Sequence, residues 1–227
     1  MKLTYYGHCA VQVELTSGTT LLFDPFRNQE PDWIWFKRPF PPLSPDYLII
    51  THPHFDHDNA AAITGTPTVI RHPVKLTTDD FELYGLRDKH SRGFGAEWGA
   101  WNIIFTLAAD GIRLCHWGDN RAELNDAQWA ALGDVDVLFV TVDDEGHLLE
   151  FEEVAAVIER LQPKIVCPTH YVIDGLNAPD SGLGGIGQWL SKSKWLVSHI
   201  PTASLTLAPA DLPAQTEIWV FDQIASA

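Results

Sequence analysis

Apolar and polar residues alternate along "LTYYGHCAVQVEL" (residues 3–15), and after "TSGT" a second apolar run follows in "TLLFDP" (20–25). A period of two sends successive side chains to opposite faces of a strand, and Ser17-Gly18 is a hairpin signal, so the chain opens with strands around a tight turn. The next segment, "FRNQEPDWIWFKRPFPPLSP" (26–45), has no period. Its prolines argue for a loop, fastened by Trp33, Trp35, Phe36 and Phe40. "DYLIITH" reads as a buried strand, "HDNAAAIT" opens a short helix, and "PTVIRHP" is a further strand. "NIIFTLAADGIRLCHWGD" (102–119) has two alternating arms around a Asp-Gly turn, which predicts a hairpin.

Helical spacing enters in the second half. "LNDAQWAALG" has Asn125 as N-cap and Gly133 as stop. In "EFEEVAAVIERLQP", Phe151, Val154, Ala155, Ile158 and Leu161 fall on one face at steps of three and four, and Pro163 ends the helix. "DVDVLFVTV" and "KIVCPTH" are strands, and "SLTLAPADLPAQTEIWVFDQ" suggests two more. The glycines of 174–187 do not follow a strand and open a helix in the dinucleotide-binding manner, so they read as a mobile loop. Strands and hairpins first, then alternating strands and helices, predict an α/β chain with two sheets face to face and helices outside, in one domain over 1–227.

Composition narrows the function classes. The formal net charge of −15 disfavours nucleic acid, and a nuclease would want a basic exosite. No apolar run is long enough for a membrane helix, and the N-terminus has no signal-type apolar stretch. Cys9, Cys115 and Cys167 are odd in number and widely spaced, which argues against a disulfide framework and suits a reducing cytoplasm; each reads as a small buried residue.

The chemistry concentrates in "THPHFDHDN" (51–59), between an apolar strand and a run of alanines. Imidazole nitrogen and carboxylate oxygen suit zinc, manganese and iron. Residues two apart in an extended turn point to one side, so His52 and His54 can grip one ion, while Asp56 and His57 can grip a second. A solvated polar loop is the alternative, but four such groups beside a fully apolar strand would repel or desolvate one another without a cation. Further donors stand at element ends: His90 before the hairpin, Asp119 after it, and His170 at the end of a strand. Strand ends along one rim are where sites of α/β folds assemble.

With His52, His54, Asp56 and His57 in the order His-x-His-x-Asp-His, then His90, Gly118-Asp119 and His170, and Asp24 in "LLFDP", the chain resembles the metallo-β-lactamase superfamily over roughly residues 1 to 172. The spacing is most similar to the branch holding ascorbate-6-phosphate lactonase and "Zn-dependent hydrolases". The resemblance implies an αββα sandwich of two mixed sheets flanked by helices, with the site on one edge. It implies one metal on His52, His54 and His90, a second on Asp56, His57 and His170, and Asp119 bridging. The implied cofactors are two divalent ions, zinc first, with manganese or iron as alternatives. Asp56 would both ligate and orient a metal-activated hydroxide, which attacks a small ester, lactone or phosphoester.

Each residue keeps a plainer alternative. His90 is otherwise a surface histidine of "HSRGFG", Asp119 a helix cap or turn residue, and His170 a core histidine. Asp24 reads as a support that fixes a ligand imidazole's tautomer. His116 reads as a buried, hydrogen-bonded histidine, or else as a support of the same kind. His8, His72, His147 and His199 read as structural or surface residues, with His199 an outside candidate for substrate contact. Tyr171 touches substrate or packs. The aromatic segment 31–43 is a satellite apolar cluster, a cleft wall or a homo-oligomer contact. Lys37, Arg38, Arg92 and Arg121 are candidates to meet an anionic small-molecule substrate. Two other functions use the same scaffold: a di-iron redox protein, whose family members carry glutamate where this chain has His54, and a non-catalytic metal-binding scaffold.

Overall fold

A computed structural model of the chain describes residues 1–29, 33–93, 101–143 and 147–226. The early strands are β1 (Lys2–Gly7), β2 (Ala10–Glu14), β3 (Thr20–Phe23), β4 (Tyr47–Ile49), β5 (Thr68–Ile70), β6 (Lys75–Thr77), β7 (Phe81–Lys89), β8 (Trp101–Ala109) and β9 (Ile112–His116). Strands and helices then alternate: α1 (Asp126–Leu132), β10 (Val137–Thr141), α2 (Phe151–Leu161), β11 (Ile165–Thr169), α3 (Ile186–Lys192), β12 (Leu196–Ile200), β13 (Ser204–Thr206) and β14 (Glu217–Phe221). They form two mixed sheets, one ordered β13-β1-β2-β3-β4-β5 and the other β12-β14-β11-β10-β9-β8-β7-β6. This is the α/β metallo-β-lactamase architecture that the resemblance implies.

Alternation along the strands builds three apolar layers. Leu21 and Phe23 of β3, Phe105 and Leu107 of β8, and Val137 and Phe139 of β10 meet between the sheets. Their neighbours face outward: Leu22 and Leu48 from the first sheet, Ile104, Leu138 and Val140 from the second. Truncating Phe105 or Phe139 to Ala in the fully buried central layer would cost about 3–5 kcal/mol. The three α-helices cover the outer face of the eight-stranded sheet through Leu132, Val154, Val157, Ile158 and Trp189. The outer face of the six-stranded sheet is covered instead by the aromatic segment, through Trp35, Phe36 and Phe40, and the expected helix after the nonapeptide is a single 3-10 turn at Ala60–Ala62.

α1 and α2 start as the sequence predicts. Asn125 accepts from Gln128 N while the Gln128 side chain bonds back to Asn125 N, and the acidic side chains of Glu152 and Glu153 lie in the first turn of α2. The glycine-rich loop is tied down by backbone bonds, Lys37 N to Leu176 O (2.8 Å) and Ala178 N to Trp35 O (2.8 Å).

Pairing directions set where the site lies. β1 and β3 each run antiparallel to β2, and β7 and β9 each run antiparallel to β8. β4 is parallel to β3, and β10 and β11 continue parallel to β9. The carboxyl ends of β1, β3 and β4 therefore share one rim of their sheet, and those of β7, β9, β10 and β11 share one rim of theirs. His8, Asp24, His52, His90, Asp119, Asp143 and His170 all follow these ends.

Candidate metal centre

One group of donors lies where the nonapeptide meets β7 and β9. The His52, His54, His90 and Asp119 ligand atoms all fall within 4.8 Å of one another. His52 Nε2 is 3.1 Å from His54 Nδ1 and 3.5 Å from Asp119 Oδ2, and His90 Nε2 is also 3.5 Å from that oxygen. A second group joins His8, Asp56, His57 and His170 within the same limit. Asp56 Oδ2 is 3.5 Å from His57 Nε2 and 3.4 Å from His170 Nε2. Asp119 Oδ2 links the two groups, because it is also 3.2 Å from His57 Nε2 and 3.7 Å from His170 Nε2.

These separations fit divalent ions. Donors bound at roughly 2.0–2.2 Å in a tetrahedron stand roughly 3.3–3.6 Å apart along its edges. The tautomers fit as well. His57 Nδ1 donates to Asp24 Oδ2 (2.8 Å), and His90 Nδ1 to Ser91 O (2.7 Å). His52 Nδ1 donates to Thr51 Oγ1 (2.9 Å), whose own proton goes to Asp24 Oδ2 (2.7 Å). Each such proton leaves Nε2 as the inward donor, the arrangement found around ligand imidazoles. His57 Nε2, His90 Nε2 and Asp119 Oδ1 are buried with no hydrogen-bond partner among the described residues, which a protein tolerates where a cation completes the site.

The electrostatics describe the same demand. Burial works against charge on His57, but Asp119, then Asp56 and Asp24, outweigh it and hold its pKa well above the usual imidazole value. His170 rises to about 10, against burial, through Asp119, Asp143 and Asp56. Asp56 and Asp119 are held well below the usual carboxylate range: burial opposes this, and His57 leads the groups that overcome it. His52 falls well below 6.5 through burial and the neighbouring His57. The buried carboxylates thus favour positive charge among these imidazoles, and a divalent ion would supply it in place of protons.

The rim is held under backbone strain. His8, Asp24 and His170 have φ of 54°, 41° and 59°, the left-handed region that costs non-glycine residues of order 1–3 kcal/mol each. Gly118 takes φ 58° before Asp119, and a Cβ there would stand 2.5 Å from Asn102 Oδ1 and 2.9 Å from Thr51 Cβ. Asn102 Oδ1 also accepts from Asp119 N (3.2 Å). Strain of this kind collects where surrounding contacts dictate a functional geometry.

A cavity of about 330 Å³ opens onto the centre. His54, Asp56, His90, Asp119 and His170 form its floor; Trp33, Trp35 and Phe55 form one wall, with Arg27 and His147 at its sides. The aromatic segment thus divides: Phe36 and Phe40 pack in the outer layer, Trp33 faces the cavity, and Trp35 belongs to both. Its residues 31 and 32 lie outside the described residues, as do Phe94 and Gly95 of the "HSRGFG" turn.

Every histidine and aspartate singled out in the sequence as a ligand meets at this centre. Asp24 lies beneath it, fully buried, and His116 is buried with Nε2 at 2.9 Å from Cys9 O and Nδ1 at 3.9 Å from Asp24. His199 is exposed on β12, paired with Asp222, and Tyr171 is buried in the helix-side core. Arg92 pairs with Glu150 and Glu153, Arg121 with Asp88, and Arg38 bonds Ala225 O. The cysteines are buried and unpaired, and burial pushes the Cys115 and Cys167 thiols above 9. Sequence reasoning missed His8, Asp143, His147 and Arg27. His147 Nδ1 donates to Asp143 Oδ2 (2.8 Å), which is 3.5 Å from His170 Nδ1. No described helix is long and apolar enough to cross a membrane.

The family model of the beta-lactamase superfamily domain matches residues 2–170. A UPF0173 metal-dependent hydrolase of Salinibacter ruber is 30% identical over 200 residues, covering 75% of this chain and 84% of that protein. A relative of the same name from Enterococcus faecalis is 26% identical over 198 residues, covering 75% and 86%. Among solved structures, a proposed Zn-dependent hydrolase of the metallo-beta-lactamase superfamily from Thermotoga maritima superposes with a TM-score of 0.74 over 97% of both chains at 24% identity, a likeness of fold. The chain belongs to the beta-lactamase superfamily, among its metal-dependent hydrolases.

Proposed function

We propose that this hydrolase is a two-ion enzyme. His52, His54 and His90 hold one divalent ion, Asp56, His57 and His170 hold the other, and Asp119 stands between them. The observation that carries the reading is Asp119 Oδ2, within 3.2–3.7 Å of imidazole nitrogens from both groups. A single oxygen serving both sets is what two neighbouring cations require, since a shared anion offsets their repulsion. Zinc suits the donors best; manganese and iron accept the same nitrogen and oxygen set.

Bound divalent ions supply a Lewis acid for the substrate oxygen and lower the pKa of water towards ~7. The chain's residues do the rest. Asp56 has a second carboxylate oxygen that can take the attacking water's proton. Asp24 and Ser91 O hold His57 and His90 in the tautomer that turns Nε2 inward. Trp33, Trp35 and Phe55 give the substrate an apolar wall and limit water. Arg27 lies at the cavity's side and suits an anionic substituent. The cavity volume favours a small ester, lactone or phosphoester. The protein's place of action is proposed as the cytoplasm, since its buried thiols suit a reducing compartment.

The test is hydrolysis of a panel of lactones, sugar phosphates, phosphodiesters and thioesters by protein stripped with chelator and reloaded with zinc, manganese or iron. Turnover that vanishes on stripping and returns on reloading is expected. Turnover that survives stripping contradicts the reading.

A further inference from the structure

We propose that His8 is a positioning residue for Asp56, whose carboxylate it fixes by donating Nε2–H to Oδ2. The inference rests on the two-ion reading, in which Asp56 serves the second ion. His8 lies in the turn between β1 and β2, with both flanking strands paired, and is fully buried. Its Nε2 is 3.0 Å from Asp56 Oδ2, nearer than either His57 or His170 comes to that oxygen. The left-handed φ of 54° aims the ring inward, where it lies 4.2 Å from the His170 ring and edge-on to Phe36. The main chain is pinned too, because His8 O accepts from Tyr5 Oη (2.9 Å) and from His170 N (3.3 Å).

Such proximity alone would equally suit a fourth protein ligand for the second ion. The far ring nitrogen decides. His52, His57 and His90 each send an Nδ1 proton to an acceptor, and His170 Nδ1 faces the Asp143 carboxylate at 3.5 Å, so the ligand imidazoles turn a bare Nε2 inward. His8 Nδ1 is buried with no partner among the described residues. A proton on that nitrogen would be a buried donor with nothing to receive it, which costs about 1–3 kcal/mol, and it would leave a bare Nε2 lone pair facing Asp56 Oδ2 at 3.0 Å. The proton therefore sits on Nε2, which makes His8 a donor to Asp56 and removes it from the ligand set. Holding the carboxylate in one rotamer would keep Asp56 presented to the ion that it would hold with His57 and His170.

The ring proton is read directly by long-range 1H–15N correlation on the zinc-loaded full chain. The proposal expects His8 as the Nε2–H tautomer with Nδ1 bare. Nδ1–H with Nε2 metal-bound makes His8 a ligand and overturns it. Chelator competition gives a second readout that needs no turnover. His8→Ala should give up one ion about 10–100-fold more readily. His8→Gln, which presents an N–H at similar reach, should return close to wild type. An Ala variant that retains both ions as wild type does, or a Gln variant no better than Ala, overturns the proposal. A wild-type chain that binds one ion refutes the two-ion reading separately, and the His8 tautomer is read in that form in the same way.

Discussion

Asp24 Oδ2 accepts a 2.8 Å hydrogen bond from His57 Nδ1, and the same carboxylate takes Thr51 N (2.8 Å) and Thr51 Oγ1 (2.7 Å). One buried acid thus fixes His57 directly and His52 through Thr51. Asp24→Asn should keep the fold and lower metal affinity by about 10–100-fold, measured by chelator competition. Affinity within error of wild type would mean that the two imidazoles are oriented by packing alone.

Gly118 is required by conformation and by space. Gly118→Ala places a methyl 2.5 Å from Asn102 Oδ1 at a φ of 58°. The expected result is a loss of about 1–3 kcal/mol in chemical denaturation, with weakened binding of both ions as Asp119 shifts. An unchanged midpoint would contradict the assigned backbone geometry.

Asp88 ties β7 to the loop that carries Asp119. Its carboxylate accepts from Arg121 Nε (2.9 Å), Arg121 Nη2 (3.0 Å), Asn120 Nδ2 (3.0 Å) and Gln128 Nε2 (2.9 Å). Burial raises its pKa, but these donors, Arg121 first, outweigh burial and lower it. The sign follows: the folded state holds the proton more weakly than the unfolded state, so the stabilisation is complete above ~pH 4 and is lost as pH falls through the lowered folded value. Asp88→Asn should cost about 1–3 kcal/mol at pH 7. The gap between variant and wild type should shrink in denaturant titrations below pH 4, and a gap constant with pH would contradict the assignment.

Trp33 is 44% exposed at the cavity mouth, edge-on to Trp35. Trp33→Ala should leave stability within about 0.5 kcal/mol. It should raise KM for apolar substrates more than it lowers kcat. A fall in kcat at unchanged KM would place the wall's effect in the chemical step instead.

Much of this was legible in the sequence, and the exceptions have physical causes. The nonapeptide announces itself because its donors are local, and the two sheets because alternation is strong in "AVQVEL" and unbroken apolar runs mark the buried strands "TLLF" and "VLFV". β7 went unread: "FELYGLRDK" has a central glycine and three charged residues near its end, features depleted in strands. Gly85 is there because a Cβ would meet the Phe105 ring at 2.8 Å. Ala60–Ala62 looks helical by propensity yet makes one 3-10 turn, where the chain leaves the site for β5. His8, in "YYGHCA", follows no ligand spacing, and reaches Asp56, 48 positions further along the chain, only through folding. Asp143 and His147 come together with His170 only through the parallel pairing of β10 and β11.

Elemental analysis of the full chain, purified without chelator and dialysed against buffer free of metal, tests the central claim most directly. The account predicts two equivalents of divalent metal per chain, with Asp119→Ala losing part of both. A wild-type protein that holds no metal after incubation with excess zinc, manganese or iron would contradict it.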